Sequence, residues 1–304
     1  MSQRSRLVTL NTGRSRSLQT VAGIVVATIF VVLLASVGRA RADSHQYSVV
    51  VARIDANSAG LTERDIVVRL ENVSVPAMTI KASPDIPRNI AIVMDAGPDQ
   101  AKVLSEEKDL AIALMNGLSD AGTSFTVASA ATSSKTQAAT LDRSVAIKHI
   151  REVTGDNGER TNVPIYDPLG AAIRQISLAP GLRVIIFVGE GNDGGSSVTY
   201  AELRRLAESN HVTVYAALVA EHSLRGARSI LRYGWNLQEL TGDTAGLFFE
   251  NQKTLKAAEQ IRESVRRLRL ITFVMPFPQP GRCKISVSSL RGKRLPAQKA
   301  ISLP

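Results

Sequence analysis

Hydrophobic positions change their period twice along this chain. Between residues 47 and 84 short apolar runs are broken by Gly60, Pro76 and Pro84. Segments 47–54, 65–70 and 78–81 therefore read as strands. From Asn89 onward all-apolar runs of strand length alternate with stretches of helical period. The strands are expected at 90–94, 124–130, 183–188, 212–219 and 246–250, and the helices at 101–118, 144–153, 168–178, 200–209 and 254–268. A short run that is apolar throughout fits a strand covered on both faces, so the alternation predicts an α/β fold with a mainly parallel, doubly wound sheet. After residue 269 the pattern returns to β character, at 270–274 and 284–288, joined by a Pro- and Gly-containing loop. These two flanking β parts lack a core of their own and are expected to associate.

The first 42 residues follow different rules. Arg4, Arg6, Arg14 and Arg16 precede a mostly apolar run, Val21 to Val37, and Ala40-Arg41-Ala42 fits a small-x-small processing site. Cleavage before Asp43 is expected, with an uncleaved membrane anchor as the rival, since the run lies near the lower length limit of a spanning helix. Either way the remainder is expected to be secreted, periplasmic or associated with the cell envelope. The domain plan is then leader or anchor 1–42, a short β-rich module 43–87, an α/β domain 88–269, and a C-terminal β hairpin with a basic tail 270–304.

Charge changes the picture once the leader is set apart. It holds six arginines and no acid, so the net charge falls from +10 to +4. From Arg262 onward stand ten Lys or Arg against one acid, Glu263, which leaves residues 43–261 net acidic. No aromatic residues interleave with the basic ones as a base-stacking surface would need, so nucleic acid is not expected as a partner. The basic residues read as a solvated helix face and strand edge. Cys283 stands alone, which excludes an intramolecular disulfide and a thiolate metal cluster; it is expected to be half-buried.

The most telling stretch is 89–99, NIAIVMDAGPD. An apolar strand ends on Asp95 and a Gly-Pro turn, which places an acid in the crevice where open α/β sheets bind ligands. Later stretches extend the pattern: Val163-Pro164-Ile165-Tyr166-Asp167 opening a helix, the strand and loop VIIFVGEGNDGG from Val184, and Leu240-Thr241-Gly242 followed by Leu247-Phe248-Phe249. In order and spacing these resemble the von Willebrand factor A (VWA) family, in particular the exported bacterial, acidobacterial-type VWFA-related subgroup. The resemblance spans about residues 47 to 300. It implies a Rossmann-like sheet and a metal-ion-dependent adhesion site built by three loops. In the family the first loop reads Asp-x-Ser-x-Ser, the second supplies a threonine and the third an aspartate. Here the first loop has Asp95, Gly97 and Asp99; Val163 takes the threonine place, with Thr161 two residues early; and Gly189 takes the aspartate place, with Glu190 and Asp193 nearby. A degenerate site is therefore expected, with Asp95 and Asp99 as residual ligands and no cofactor beyond a magnesium ion on a rearranged set. Without a metal, Asp95 is expected to accept N–H bonds from the following turn or to cap the helix beginning near Gln100.

Other chemistries find less support. Gly189 to Gly194 matches Gly-x-Gly-x-x-Gly after a strand, but no helix opens at the last glycine and two acids in the loop would repel a pyrophosphate. No Gly-x-Ser-x-Gly elbow occurs. His45, His149, His211 and His222 are scattered and read as structural. Tyr233, Trp235 and Leu237 read as core anchors, with a partner contact through Trp235 as the rival. The expected function is an exported, non-catalytic module that binds an unknown protein partner through loops 95–100, 158–167 and 189–197. The surface candidates are Asp95, Gly97, Asp99, Thr161, Tyr166, Asp167, Glu190 and Asp193. The first alternative is a metal-dependent adhesion-type binder with rearranged ligands, and the second a nucleotide-using enzyme through loop 189–195. Membrane contact is expected only through an uncleaved leader.

Overall fold

The computed structural model describes residues 47–54, 60–71, 73–98, 103–131, 133–155, 163–219, 230–250, 253–275 and 281–303, and residues 47 to 304 fall in one compact unit. The leader, His45, Asp99, Gln100, Thr161 and His222 lie outside the described residues. Among the described residues no helix is long and apolar enough to cross a membrane.

The α/β class holds, with a mixed sheet at its centre. Six strands run in the order β6 (Lys135–Thr136), β5 (Thr123–Ala130), β4 (Arg88–Asp95), β7 (Leu182–Gly189), β8 (Val212–Leu218) and β9 (Phe248–Glu250). All neighbours pair in parallel except β6, a two-residue edge strand antiparallel to β5. Every residue of β4 and β8 is buried, as a strand covered on both faces must be.

Alternate residues of β4 enter two separate cores. Ile90, Ile92 and Met94 pack with helices α1 (Leu104–Leu118), α2 (Arg143–Glu152) and α6 (Thr254–Arg266). Ala91 and Val93 pack with α3 (Tyr166–Ile176), α4 (Tyr200–Ser209) and α5 (Ile230–Asp243). The helix ends follow from local chemistry. The Asp142 side chain accepts the Ser144 and Val145 N–H groups at the start of α2, and Thr199 and Glu202 form a reciprocal capping box on α4.

The flanking β parts are larger than small additions. They form one seven-stranded sheet in the order β1 (Tyr47–Arg53), β10 (Leu268–Val274), β3 (Val73–Ala82), β2 (Ile66–Leu70), β11 (Gly281–Ser289) and β12 (Arg294–Leu295), with β13 (Ala300–Leu303) also on β11. Every pairing in it is antiparallel. One face is apolar, with Val50, Val68, Leu70, Ile271, Phe273 and Val287 in a third core.

Strand β3 is ten residues long, although Pro76 reads as a break in the sequence. Its first half pairs with β2, ending at Pro76 opposite Val67, and its second half pairs with β10, beginning at Ala77. The proline, which has no N–H to give, sits where the strand changes partner, so no ladder bond is lost there. The antiparallel sheet is tied to the α/β layer by Arg53, whose guanidinium donates to the Ala245 and Gly246 carbonyls at 3.3 and 3.1 Å, and by the Lys299 N–H on the Asp243 carbonyl.

Candidate functional site

The residues that the sequence singles out meet at the carboxyl ends of β4 and β7. Asp95 closes β4 and is only 4% exposed. Its Oδ1 accepts the Gly97 N–H at 3.0 Å, which is the turn-capping role expected of it without a metal. The N–H groups of Glu190 and Gly191, in the loop after β7, also bond to this carboxyl. Burial pushes its pKa up to about 6, against the pull of these three N–H bonds, and the nearby Glu190 charge adds to the rise.

Steric packing around Asp95 accounts for the departures from a metal-binding pattern. A Cβ on Gly189 would stand 2.1 Å from the Asp95 Cβ. Glycine is therefore required where the family places an aspartate. A Cβ on Gly97 would meet Asp95 Oδ1 at 3.2 Å and both Val163 methyls at 3.3 Å. Val163 itself is buried, so the place of the threonine hydroxyl is filled with hydrocarbon. Among the described residues no three His, Cys, Asp or Glu side chains are grouped closely enough to hold a metal ion. The described residues at Gly97, Val163 and Gly189 do not fit the family-type metal site.

Two further acids of the candidate surface serve the fold. Asp193 Oδ1 accepts the N–H groups of Ile165 and Tyr166 at 2.7 and 3.1 Å, and also the Ser196 hydroxyl. It thereby satisfies the first free N–H groups of α3. Asp167 accepts the Ser197 and Val198 N–H groups at 3.0 and 2.8 Å. Burial pushes the Asp167 carboxyl up, but those N–H bonds, the Ser197 hydroxyl and Arg174 outweigh it and hold the group below its ordinary value. A parallel bridge between Val163 and Asp193 and the Gly194 N–H on the Val163 carbonyl complete the lacing of the two loops. Asp167 and Asp193 are thus structural anchors rather than open ligands.

Tyr166 and Trp235 exchange their expected places. Tyr166 is buried, and its hydroxyl accepts the Asn236 amide at 2.8 Å; burial raises its pKa. Trp235, expected in the core, is 67% exposed, while Leu237 is buried. On a helix residues two apart point to different sides, so the two cannot share a face.

The loop 189–195 is not an open phosphate cradle. The N–H groups of Glu190 and Gly191 go to Asp95 and that of Gly194 to Val163. A phosphate would find these donors already in use.

One residue of the site went unnoticed in the sequence. Glu107, in the first turn of α1, is fully buried. Neither of its carboxyl oxygens has a hydrogen-bond partner among the described residues. Burial raises its pKa well above the ordinary value, and the charges of Asp95, Glu106 and Glu190 add to the rise. Two acids, Asp95 and Glu107, are therefore sealed beneath the loops, and their mutual repulsion favours protonation. The signal was present: Glu107 lies three residues from Leu104 and Leu110 and four from Ala111, on the buried stripe of the helix.

No family model matches this sequence, and no curated protein matches it either. Its structure is similar to those of an aerotolerance-related membrane protein from Bacteroides fragilis (16% identity, TM-score 0.44, covering 58% of this chain and 98% of that one), the conserved hypothetical protein BatB from Bacteroides thetaiotaomicron (18%, 0.49, 58% and 96%), and a von Willebrand factor type A protein from Catenulispora acidiphila (11%, 0.48, 86% and 74%).

Proposed function

We propose that the six-stranded sheet and its helices are a doubly wound, VWA-type domain of an exported protein, and that its carboxyl edge binds another protein without catalysis and without a metal. The strand order supports the architecture. β4 lies inside the sheet, β5 and β6 extend to one side, β7 to β9 extend to the other, and helices cover both faces. That order supports a doubly wound reading, in which ligands bind where the direction reverses, outside the carboxyl ends of the central strands. The motifs at Asp95, Tyr166–Asp167 and Leu240–Gly242 support the family.

The observation that carries the functional reading is the filling of that crevice. Asp95, Val163 and the Gly189 backbone pack against one another so closely that two positions tolerate only glycine or demand adjustment. Three loops are laced together over two buried acids, so neither acid reaches a substrate. What remains is a rim of main chain and small side chains, with Gly195 and Ser197 exposed. A surface of that kind is read by a macromolecule through contact area.

Photo-crosslinking from the rim tests this. A photoreactive side chain at Ser197 in the full chain is expected to capture a discrete protein in the source cells. The same group at Leu178, exposed at the opposite end of the sheet, is expected to miss it. Equal capture from both positions, or none from Ser197, would sink the proposal.

A further inference from the structure

The polar face of the antiparallel sheet carries a feature that the loop site does not use. A cavity of about 340 Å³ opens between β2, β11, β12 and α4, and six cationic side chains line it: Arg69, Arg204, Arg282, Lys284, Arg294 and Lys299. A neighbouring cavity of about 320 Å³ shares Ser286, Arg294 and Lys299, so the concavity continues as a groove along β11.

The cations divide into two sets. Arg204, Arg282 and Lys299 are spoken for. Buried Glu208 accepts the Arg282 fork at 2.8 Å on each oxygen and pairs with Arg204 at 3.3 Å. Asp243 pairs with Arg204 at 2.7 Å and Lys299 at 3.0 Å, and Glu239 with Arg204 at 3.1 Å. Arg69, Lys284 and Arg294 have no ion-pair partner among the described residues. Glu71, which also lines the cavity, uses one carboxyl oxygen on the Lys284 main-chain N–H at 2.7 Å.

Register puts the three unpaired cations on one side of the sheet. Arg69 stands opposite Ser286 on β11, and Arg294 stands opposite Ser288. Lys284, Ser286 and Ser288 alternate along the same face of β11. Directly opposed residues in an antiparallel pair share a face. Long basic arms from β2 and β12 therefore flank a low floor of serines. Arg69 and Arg294 rise from strands on either side of β11, so their backbones are on the order of 10 Å apart. That is too wide for one phosphate held between two main chains, and suitable for two linked anions met by long side chains. Gathering like charges in a concavity costs stability, and a guanidinium fork matches phosphate oxygens bidentately.

We propose that this groove binds a ligand bearing two or more phosphate-type anions, gripped by Arg69 and Arg294, with Lys284 at the end of the row beyond Arg69 and the Ser286 hydroxyl donating from the floor. The anions can come from a soluble oligophosphate or from adjacent phospholipid head groups. Neither the rim of the α/β domain nor its acids take part.

The test is calorimetric titration of the full chain with inorganic pyrophosphate, beside the variant R69Q/K284Q/R294Q. Saturable heat is expected at low salt, weakened about tenfold or more in the variant and at roughly 0.5 M salt, where screening is short-ranged. In a second arm both chains are sedimented with phosphatidylglycerol and with phosphatidylcholine vesicles; the leader is common to both, so only the groove differs. Pyrophosphate binding with equal pelleting of both chains identifies a soluble ligand. Phosphatidylglycerol pelleting that depends on the three cations identifies head groups. If neither probe distinguishes the variant from the wild type, the proposal is overturned. Without ligand the variant is expected to melt no lower than the wild type; a clear fall would make the three side chains structural and would also overturn it.

Discussion

Glu107 and Glu208 are both completely buried glutamates on helices that cover the same sheet, and they solve the problem of a buried charge in opposite ways. Glu208, on α4, is gripped by the Arg282 fork and by Arg204, while its main-chain carbonyl accepts the Gln298 amide at 2.8 Å. Glu107, on α1, faces other acids, and no partner among the described residues meets its oxygens. A buried carboxyl must be paired or neutral, because an isolated charge in the interior costs many kcal/mol. Glu208 is paired, whereas burial and the neighbouring acids raise the Glu107 pKa well above its ordinary value, which favours the neutral form. The first holds the C-terminal strands against the α/β layer; the second lies beneath the candidate binding rim with Asp95.

Removing the paired acid should have the largest effect. Glu208→Ala leaves Arg282 and Arg204 facing a vacated, desolvated position, and the expected cost is about 3–5 kcal/mol in chemical denaturation. Because Arg282 lies on β11 and Glu208 on α4, the loss should show first as loosened amide protection in β11 and β13. A change under about 1 kcal/mol would mean that solvent reaches Glu208 freely and that the comparison with Glu107 is false.

The neutral acid should reveal itself through pH. Asp95, at about 6 in the folded protein, and Glu107, well above its ordinary value, both have folded pKa values raised above the unfolded ones. The folded chain then holds protons that the unfolded chain has released, so their contribution to stability falls as pH rises. The fall begins near pH 4, where unfolded carboxyls ionise, passes through about 6 for Asp95, and continues beyond that for Glu107. Asp95 alone accounts for on the order of 3 kcal/mol across its window. Glu107→Gln, which keeps the shape and cannot ionise, should cost little at acidic pH and flatten the decline toward neutral pH. Denaturation free energies of wild type and variant at about pH 5 and pH 7.5 decide the matter. Parallel slopes would show that Glu107 does not titrate as a buried neutral acid.

These two regions also differ in how far they could be read from sequence. Strand β4 and the acid at its end were plain, because an all-apolar run ending in Asp has few other uses in a parallel sheet. Helix α4 was legible at both ends from its period alone; the Thr199 and Glu202 capping box closes its N-terminal end. The Arg282–Glu208 pair spans 74 positions and leaves no local pattern, so the basic tail read as solvated although two of its cations are spent on Glu208 and Asp243. Glu107 was hidden for another reason: a glutamate in the first turn of a helix is the ordinary choice for the helix dipole, and only its place on the apolar stripe betrays burial. The misread Pro76 belongs with these, since a change of strand partner is a long-range event that the residue itself does not announce.

The smallest expected effect sharpens the comparison most. Magnesium, manganese or calcium at millimolar concentration should leave the melting temperature of the full chain where EDTA leaves it. A cation that bound only the folded chain at about 100 times its Kd would add about 2.7 kcal/mol, a shift of several degrees at most. The reasons to expect none are local. Val163 puts hydrocarbon where an oxygen is needed, Asp193 is consumed by the start of α3, and Gly189 cannot gain a side chain beside Asp95. Among the described residues Asp95, Glu107 and Glu190 remain, and protonation of Glu107 competes with any cation for the same oxygens. A rise in melting temperature that Glu107→Gln abolishes would reverse this reading. Glu107 would then be a ligand supplied from α1 in place of the missing loop residues, and the contrast with Glu208 would be one between a side-chain counterion and a metal.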